Sequence, residues 1–226
     1  MAGKPDEELD FSKLFTVINT FTLKDPAQDK EFERRFLDHV EWMRRQEGFG
    51  SHQAVRLVER PGVYVNLGWW LAPEAFQNVL RSETFQAHAK EFHELVDVTA
   101  DPSNNVLRIN ATETAGDRSE FTSPIIVIEH LTTEADAAEF EGTYQAYADF
   151  VKAQYGFGYS DLSRSLVRPG AYTATTWWWS EEAYLAVQES KEFTAVKAAA
   201  EVRPERAAHL AWNRAATAEE IAASAA

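Results

Sequence analysis

The chain has 226 residues, 45% of them hydrophobic, enough apolar material for one or two packed domains. Lys and Arg number 22 against 36 Asp and Glu, and the net charge of −14 repels phosphate backbones and anionic headgroups, so nucleic acid and membrane surfaces are set aside as partners. The chain has no cysteine, which removes disulfides, thiolate nucleophiles, iron–sulfur clusters and Cys-based zinc sites, and fits a cytoplasmic protein.

Residues 1–13 read as a polar arm, with no apolar run that would make a signal peptide. No stretch of 18 apolar residues follows anywhere. Phe15 to Leu23 (FTVINTFTL) is rich in β-branched and aromatic residues and predicts a strand. Asp25-Pro26 is a helix start, and Phe32, Phe36, Val40 and Met43 then recur at helical spacing. Gly48 stops that helix. A strand is expected from about Gly50 to Glu59, a turn at Arg60-Pro61-Gly62, and a second strand from Val63 to Leu71. Ala72 to Val96 reads as helix in two parts, and a last short strand covers Val106 to Ala111. A polar joint at 113–122, containing Gly116, has no apolar period.

The same series then starts again. Gly48-Phe49-Gly50 recurs as Gly156-Phe157-Gly158, Arg60-Pro61-Gly62 as Arg168-Pro169-Gly170, and Trp69-Trp70 as Trp177-Trp178, each 108 residues on. Of the 38 positions from 48 to 85, 15 are identical at that offset, where chance at this composition gives about two or three. Pro124 to Leu131 answers the first strand, and Phe140, Tyr144, Ala148 and Val151 answer the first helix. The expected organisation is an arm at 1–13, one domain at 14–112, a linker at 113–122, a second domain at 123–214 and an Ala-rich, frayed tail at 215–226. The order βαββαβ in each copy is the ferredoxin-like α+β pattern. Its sheet leaves one face bare, so two copies on one chain predict an intrachain pseudo-dimeric α+β barrel, the sheets face to face or closed on each other.

Alternation sorts the strand after Arg60-Pro61-Gly62 into two faces. Tyr64, Asn66, Gly68 and Trp70 share one. Val65, Leu67, Trp69 and Leu71 share the other, and suit burial between the copies. An Asn beside a Gly among aromatics suggests a cavity under the helices, because Gly leaves space and Asn brings a donor and an acceptor. In the second copy Tyr172, Ala174, Thr176 and Trp178 take these places.

One copy thus carries strand one, an amphipathic helix, a Gly-Phe-Gly stop, and Trp70…Glu74-Ala75-Phe76…Ser82…Phe85. The other repeats it as Trp178…Glu182-Ala183-Tyr184…Ser190…Phe193. This resembles the antibiotic biosynthesis monooxygenase family over both copies. The resemblance implies oxidation of an aromatic polyketide or quinol-type substrate by O₂, with the substrate anion activating oxygen and no metal or other cofactor. Related proteins with duplicated folds use reduced flavin, so FMN or FAD supplied by a reductase is the alternative. The quinone-forming members carry an Asn and a Trp four residues apart on this strand, matched by Asn66 and Trp70, and a Tyr six residues after the Trp. Copy one has Phe76 there. Copy two has Tyr184 but Ala174 in place of the Asn, so neither copy holds the whole pattern. The haem-degrading members need an Asn on strand one, a Trp in the second helix and a nearby His. Asn19 suits the first, Val79 holds the second, and His88 falls one residue early. Copy two has Val127, Val187 and Lys197 there.

The roles implied are therefore stacking and hydrogen bonding by Trp70 and Asn66, proton acceptance by His88 and orientation by Asn19. In copy two Trp178 stacks and Tyr184 donates. Tyr64, Phe76, Tyr144 and Tyr172 are candidate walls. The six histidines show no metal-binding spacing, and GxSxG, GxxxxGK[ST] and GxGxxG motifs are absent. The partners implied are an aromatic small molecule and O₂, with a flavin reductase and a second copy of the chain left open. A non-catalytic aromatic-ligand-binding or accessory protein is the rival reading. A haem-degrading enzyme or a polyketide cyclase comes after it.

Overall fold

The computed structural model describes residues 10, 13–112 and 124–223. The linker at 113–122 and nearly all of the N-terminal arm lie outside the described residues. The chain divides into two compact units. One holds the described residues up to 56, then 60–101 and those from 210 on; the other holds 57–59 and 102–209.

In the first unit β1 (Phe15–Leu23) is the expected strand. Asp25 accepts from the Ala27 N–H and caps a single 3₁₀ turn, Pro26–Gln28. The helix proper, α1 (Asp29–Met43), follows and buries Phe32, Phe36 and Val40. Next come β2 (Phe49–Leu57), β3 (Val63–Trp70), α2 (Pro73–Leu80) and α3 (Glu83–Leu95). The β2–β3 turn closes through Val63 N–H to the Arg60 carbonyl at 3.0 Å, with Gly62 at φ +81°. A Cβ there is strained, and Gly removes it.

The last strand of the copy, β4 (Val96–Asn110), has 15 residues, much longer than the short strand expected. Its Asp97, Asp101, Pro102, Asn104 and Asn105 read as loop. Pairing overrides propensity here: residues 103–110 run antiparallel to β6 (Phe157–Ser165). The second unit repeats the series with β5 (Ile125–Thr132), α4 (Ala137–Val151), β6, β7 (Ala171–Trp178), α5 (Glu181–Val187), α6 (Lys191–Ala199) and β8 (Glu201–Arg214). Strand order in the first unit is the start of β4, then β1, β3, β2 and the end of β8. In the second it is the start of β8, then β5, β7, β6 and the end of β4. Both units are ferredoxin-like α+β folds.

The tail forms α7 (Ala218–Ala223), and the Arg44 guanidinium donates to both Glu220 oxygens, at 3.0 and 2.9 Å. On the second face of β3, Val65, Leu67 and Trp69 are buried, whereas Leu71 lies past the strand end and is 54% exposed. No helix among the described residues is long and apolar enough to cross a membrane.

Register exposes a difference between the copies that offsets alone conceal. Trp70 on β3 pairs with Phe15, and Trp178 on β7 pairs with Ile125. The tryptophans are 108 apart, but their partners are 110 apart. The 3₁₀ turn of copy one accounts for the change, because in copy two Asp136 caps α4 directly through the Ala138 N–H. The residue opposite Asn66 is Asn19, and the residue opposite Ala174 is Glu129. The counterpart of Asn19 is therefore Glu129, where the uniform offset points to Val127.

Candidate active site

A cavity of about 260 Å³ lies in the first unit. That is just under the usual range of about 300–1,000 Å³ for ligand pockets. Its walls are largely apolar, including Val17, Phe36, Val40, Phe49, Phe85 and Phe92. The sequence-predicted Asn19, Asn66, Trp70 and Phe76 all line it. Asn19 and Asn66 meet because β1 and β3 pair them directly, and opposite residues on paired strands point to the same face.

Trp70 packs against Phe49 at 5.2 Å, edge to face, and against Phe76 at 5.3 Å. Gly68 stands between Asn66 and Trp70. A Cβ placed on it would lie 3.5 Å from Trp70 Nε1 and 3.9 Å from Asn66 Nδ2. Two N–H donors thus converge on the space that this missing side chain leaves. An oxygen atom bearing negative charge fits such a seat, and the apolar walls strengthen the interaction.

Sequence reasoning missed His52. Its Nδ1 lies 2.8 Å from Asn66 Oδ1, and its Nε2 lies 2.9 Å from Asn213 Oδ1 on β8. An N–H donated from Nδ1 to Oδ1 fixes the Asn66 amide with Nδ2 turned toward Gly68. The available signal was Gly50. The β2 register slips between Phe49 and Ser51, so Phe49 faces Trp70 and His52 faces Gly68. Such a bulge puts residues three apart on the same face, which strict alternation denies. Asn213 comes from the far end of the chain, and nothing local predicts it.

His88 does not line the cavity. It lies in a neighbouring depression of about 610 Å³, and its Nδ1 is 3.0 Å from His39 Nδ1. His39 lines both spaces. Burial, with His88 and His52 adding to it, pushes the His39 imidazole down to about 3, so this ring is neutral.

Tyr64 is also outside the cavity lining. Its hydroxyl donates to Glu33 at 2.9 Å, and Arg56 holds the same carboxylate at 2.5 and 2.8 Å. Copy two repeats this tie with Tyr172 donating to Glu141 at 3.1 Å and Arg164 donating at 3.0 Å. These tyrosines pin a helix to a sheet. Tyr144, Trp178 and Tyr184 sit in the packed core of the second unit with Tyr147 and Phe193. Thr176, wholly buried, stands where Gly68 leaves space in copy one. Glu129 is buried among these residues and accepts from the Tyr184 hydroxyl at 3.5 Å. Desolvation pushes its carboxyl up to about 7. Among the described residues no three His, Asp or Glu side chains gather as a metal-binding group.

The family model for antibiotic biosynthesis monooxygenase matches the chain twice, at residues 14–91 and 124–199. A solved structure described as a candidate monooxygenase of Fusobacterium nucleatum superposes with a TM-score of 0.72 at 11% identity, over 90% of this chain and 95% of that one. Another from Lactobacillus acidophilus gives 0.70 at 8% identity, over 89% and 96%. SnoaB, a cofactor-independent oxygenase from Streptomyces nogalater, is 30% identical over 39% of this chain and 88% of its own, with a TM-score of 0.36. No curated protein matches.

Proposed function

The chain belongs to the antibiotic biosynthesis monooxygenase family, and on that premise we propose that its first copy oxidises a flat, electron-rich phenol, anthrone or quinol of the aromatic polyketide type with O₂. The observation that carries this reading is the pair of N–H donors, from Asn66 and Trp70, aimed at the space over Gly68 inside an apolar cavity. Loss of a proton makes the bound substrate an anion. The anion passes one electron to O₂, and the radical pair joins as a substrate peroxide. Elimination of water then leaves the quinone. The substrate supplies all the electrons, and each turnover consumes one O₂ and releases one water.

The protein's part is positional and electrostatic. Phe76 and the Trp70 face hold the ring, Asn19 orients it, and the two donors stabilise the oxyanion. The largely apolar walls limit water around the reactive intermediates. In this reading copy two braces the molecule, since Thr176 fills its seat and Trp178 and Tyr184 serve its core. The substrate and O₂ diffuse in from the cytoplasm.

The test is oxygen uptake by the purified protein with a panel of anthrones and naphthols, with and without a flavin reductase. Uptake above the uncatalysed rate without flavin supports the substrate-anion route. Uptake only with reduced FMN or FAD replaces it with a flavin route. No uptake in either arm, with the same compounds quenching Trp fluorescence, overturns the oxygenase reading in favour of ligand binding.

A further inference from the structure

A mostly apolar cavity that generates a substrate anion must let a proton out. The residues that separate the cavity from the neighbouring depression are suited to that task. His39 on α1 borders both spaces, and His88 on α3 borders only the depression. Their Nδ1 atoms are 3.0 Å apart. At that distance one Nδ1 carries hydrogen and the other accepts it, so the rings hold complementary tautomers. His39 is fixed by aromatic neighbours, with Phe92 at 5.3 Å edge to face and Phe85 at 5.8 Å. Its Nδ1 is committed to His88, which leaves Nε2 for the cavity. At the positions 108 residues on, copy two has Tyr147 and Val196, both buried in its core. The imidazole pair lies beside this cavity and is not repeated at those positions of copy two.

We propose that His39 and His88 form a proton conduit between the cavity and solvent, a role that rests on the oxygenase reading above. The substrate hydroxyl gives its proton to His39 Nε2 as the Nδ1 proton leaves the same ring, so His39 stays neutral. His39 passes its Nδ1 proton to His88 Nδ1. His88 then releases its own Nε2 proton to water in the depression. Neither ring keeps a charge, and the substrate stays behind as the anion. The later elimination of water from the peroxide takes up one proton, and the reverse transfer returns it and restores both tautomers. The charged groups around the outer end are Arg34, Arg35 and Asp38 on α1 and Glu91 and Glu94 on α3. His52 and His93 face the inner end. His39 acts as the catalytic base, and His88 carries the proton onward.

The experiment uses the full chain with ¹⁵N-labelled histidine. The rate at which the His39 ring N–H exchanges with water is measured by NMR in the parent, His88→Leu and His88→Gln proteins. A nitronaphthol probe, whose absorbance reports ionisation, is followed after a pH jump in the same three. The conduit predicts that both variants slow His39 exchange and bound-probe ionisation together, by about tenfold or more, as loss of a general acid–base step does. The thermal transition of at least one variant should stay intact, which separates this loss from misfolding. Exchange that stays within about twofold of the parent in a folded variant overturns the conduit. Absence of O₂ uptake by the parent protein overturns the oxygenase reading instead, and leaves the exchange rates to decide the conduit.

Discussion

At the scale of single residues, the site depends as much on an absent side chain as on those present. Gly68 has no positive φ, so nothing in its backbone requires glycine. A Cβ there meets Trp70 Nε1 at 3.5 Å, the Val17 carbonyl at 3.8 Å and Asn66 Nδ2 at 3.9 Å, all ordinary contacts. Gly68→Ala is therefore expected to fold normally, with a stability change within about 1 kcal/mol of zero. It should nonetheless fill the oxyanion seat and lower kcat on the order of 100-fold, the typical cost of losing one preorganised donor. Parallel denaturant melts and oxygen-uptake rates check the two halves. A full-rate Gly68→Ala protein would remove the seat from the mechanism. Asn66, Gly68 and Trp70 were legible in the sequence because they alternate along one strand. His52 was not, because a bulge at Gly50 shifts its face, and Asn213 was not, because only the fold brings β8 beside β2.

At the scale of elements, register decides what the second copy became. Strands, helices and turns follow from apolar period and from Asp, Pro and Gly signals. The two-residue slip of β1 against β5 has no local mark beyond a shorter approach to the helix. The slip places Glu129 opposite Ala174 and inside a core of tyrosines. Its Oε2 meets no partner among the described residues. A free glutamate ionises near 4.5, whereas this one is held up to about 7 by burial. Between those values the unfolded chain releases a proton that the folded chain keeps, so the stability present at low pH is lost as pH rises. By pH 8 the loss is on the order of 3 kcal/mol. Glu129→Gln removes this dependence. It should exceed the parent in stability by ~1–3 kcal/mol at about pH 8, with the gap closing below about pH 5. Denaturant midpoints at the two pH values test it, and an equal gap at both counts against a buried, titrating Glu129. The long β4 escaped sequence reading for a related reason. From Ser103 on it is held by partners on β6, and a strand made by its neighbours has no period of its own.

At the scale of the molecule, a repeat read directly from the sequence does not yield two self-sufficient halves. Cutting at the linker gives a fragment 1–112 with every element of one ferredoxin-like copy. Yet the compact unit that contains the cavity also includes the chain from 210 onward. The Ala215 N–H bonds to the Gly50 carbonyl at 2.9 Å, and Ala216 to Arg44 at 2.7 Å. Asn213 holds His52, and Glu220 holds Arg44. Without these residues β2 becomes an open edge, and His52 loses its hydrogen bond to Asn213. An exposed edge strand tends to pair with another chain. The fragment 1–112 alone is therefore expected to self-associate or melt without a sharp transition. Co-expression with 123–226 should restore a monomeric complex whose melting and probe binding match the intact chain. Size-exclusion chromatography and calorimetry on the three samples decide this. A fragment 1–112 that stays monomeric and melts cooperatively would mean the C-terminal strand is dispensable to the cavity. The fixing of the Asn66 amide through His52 and Asn213 would then have to be given up.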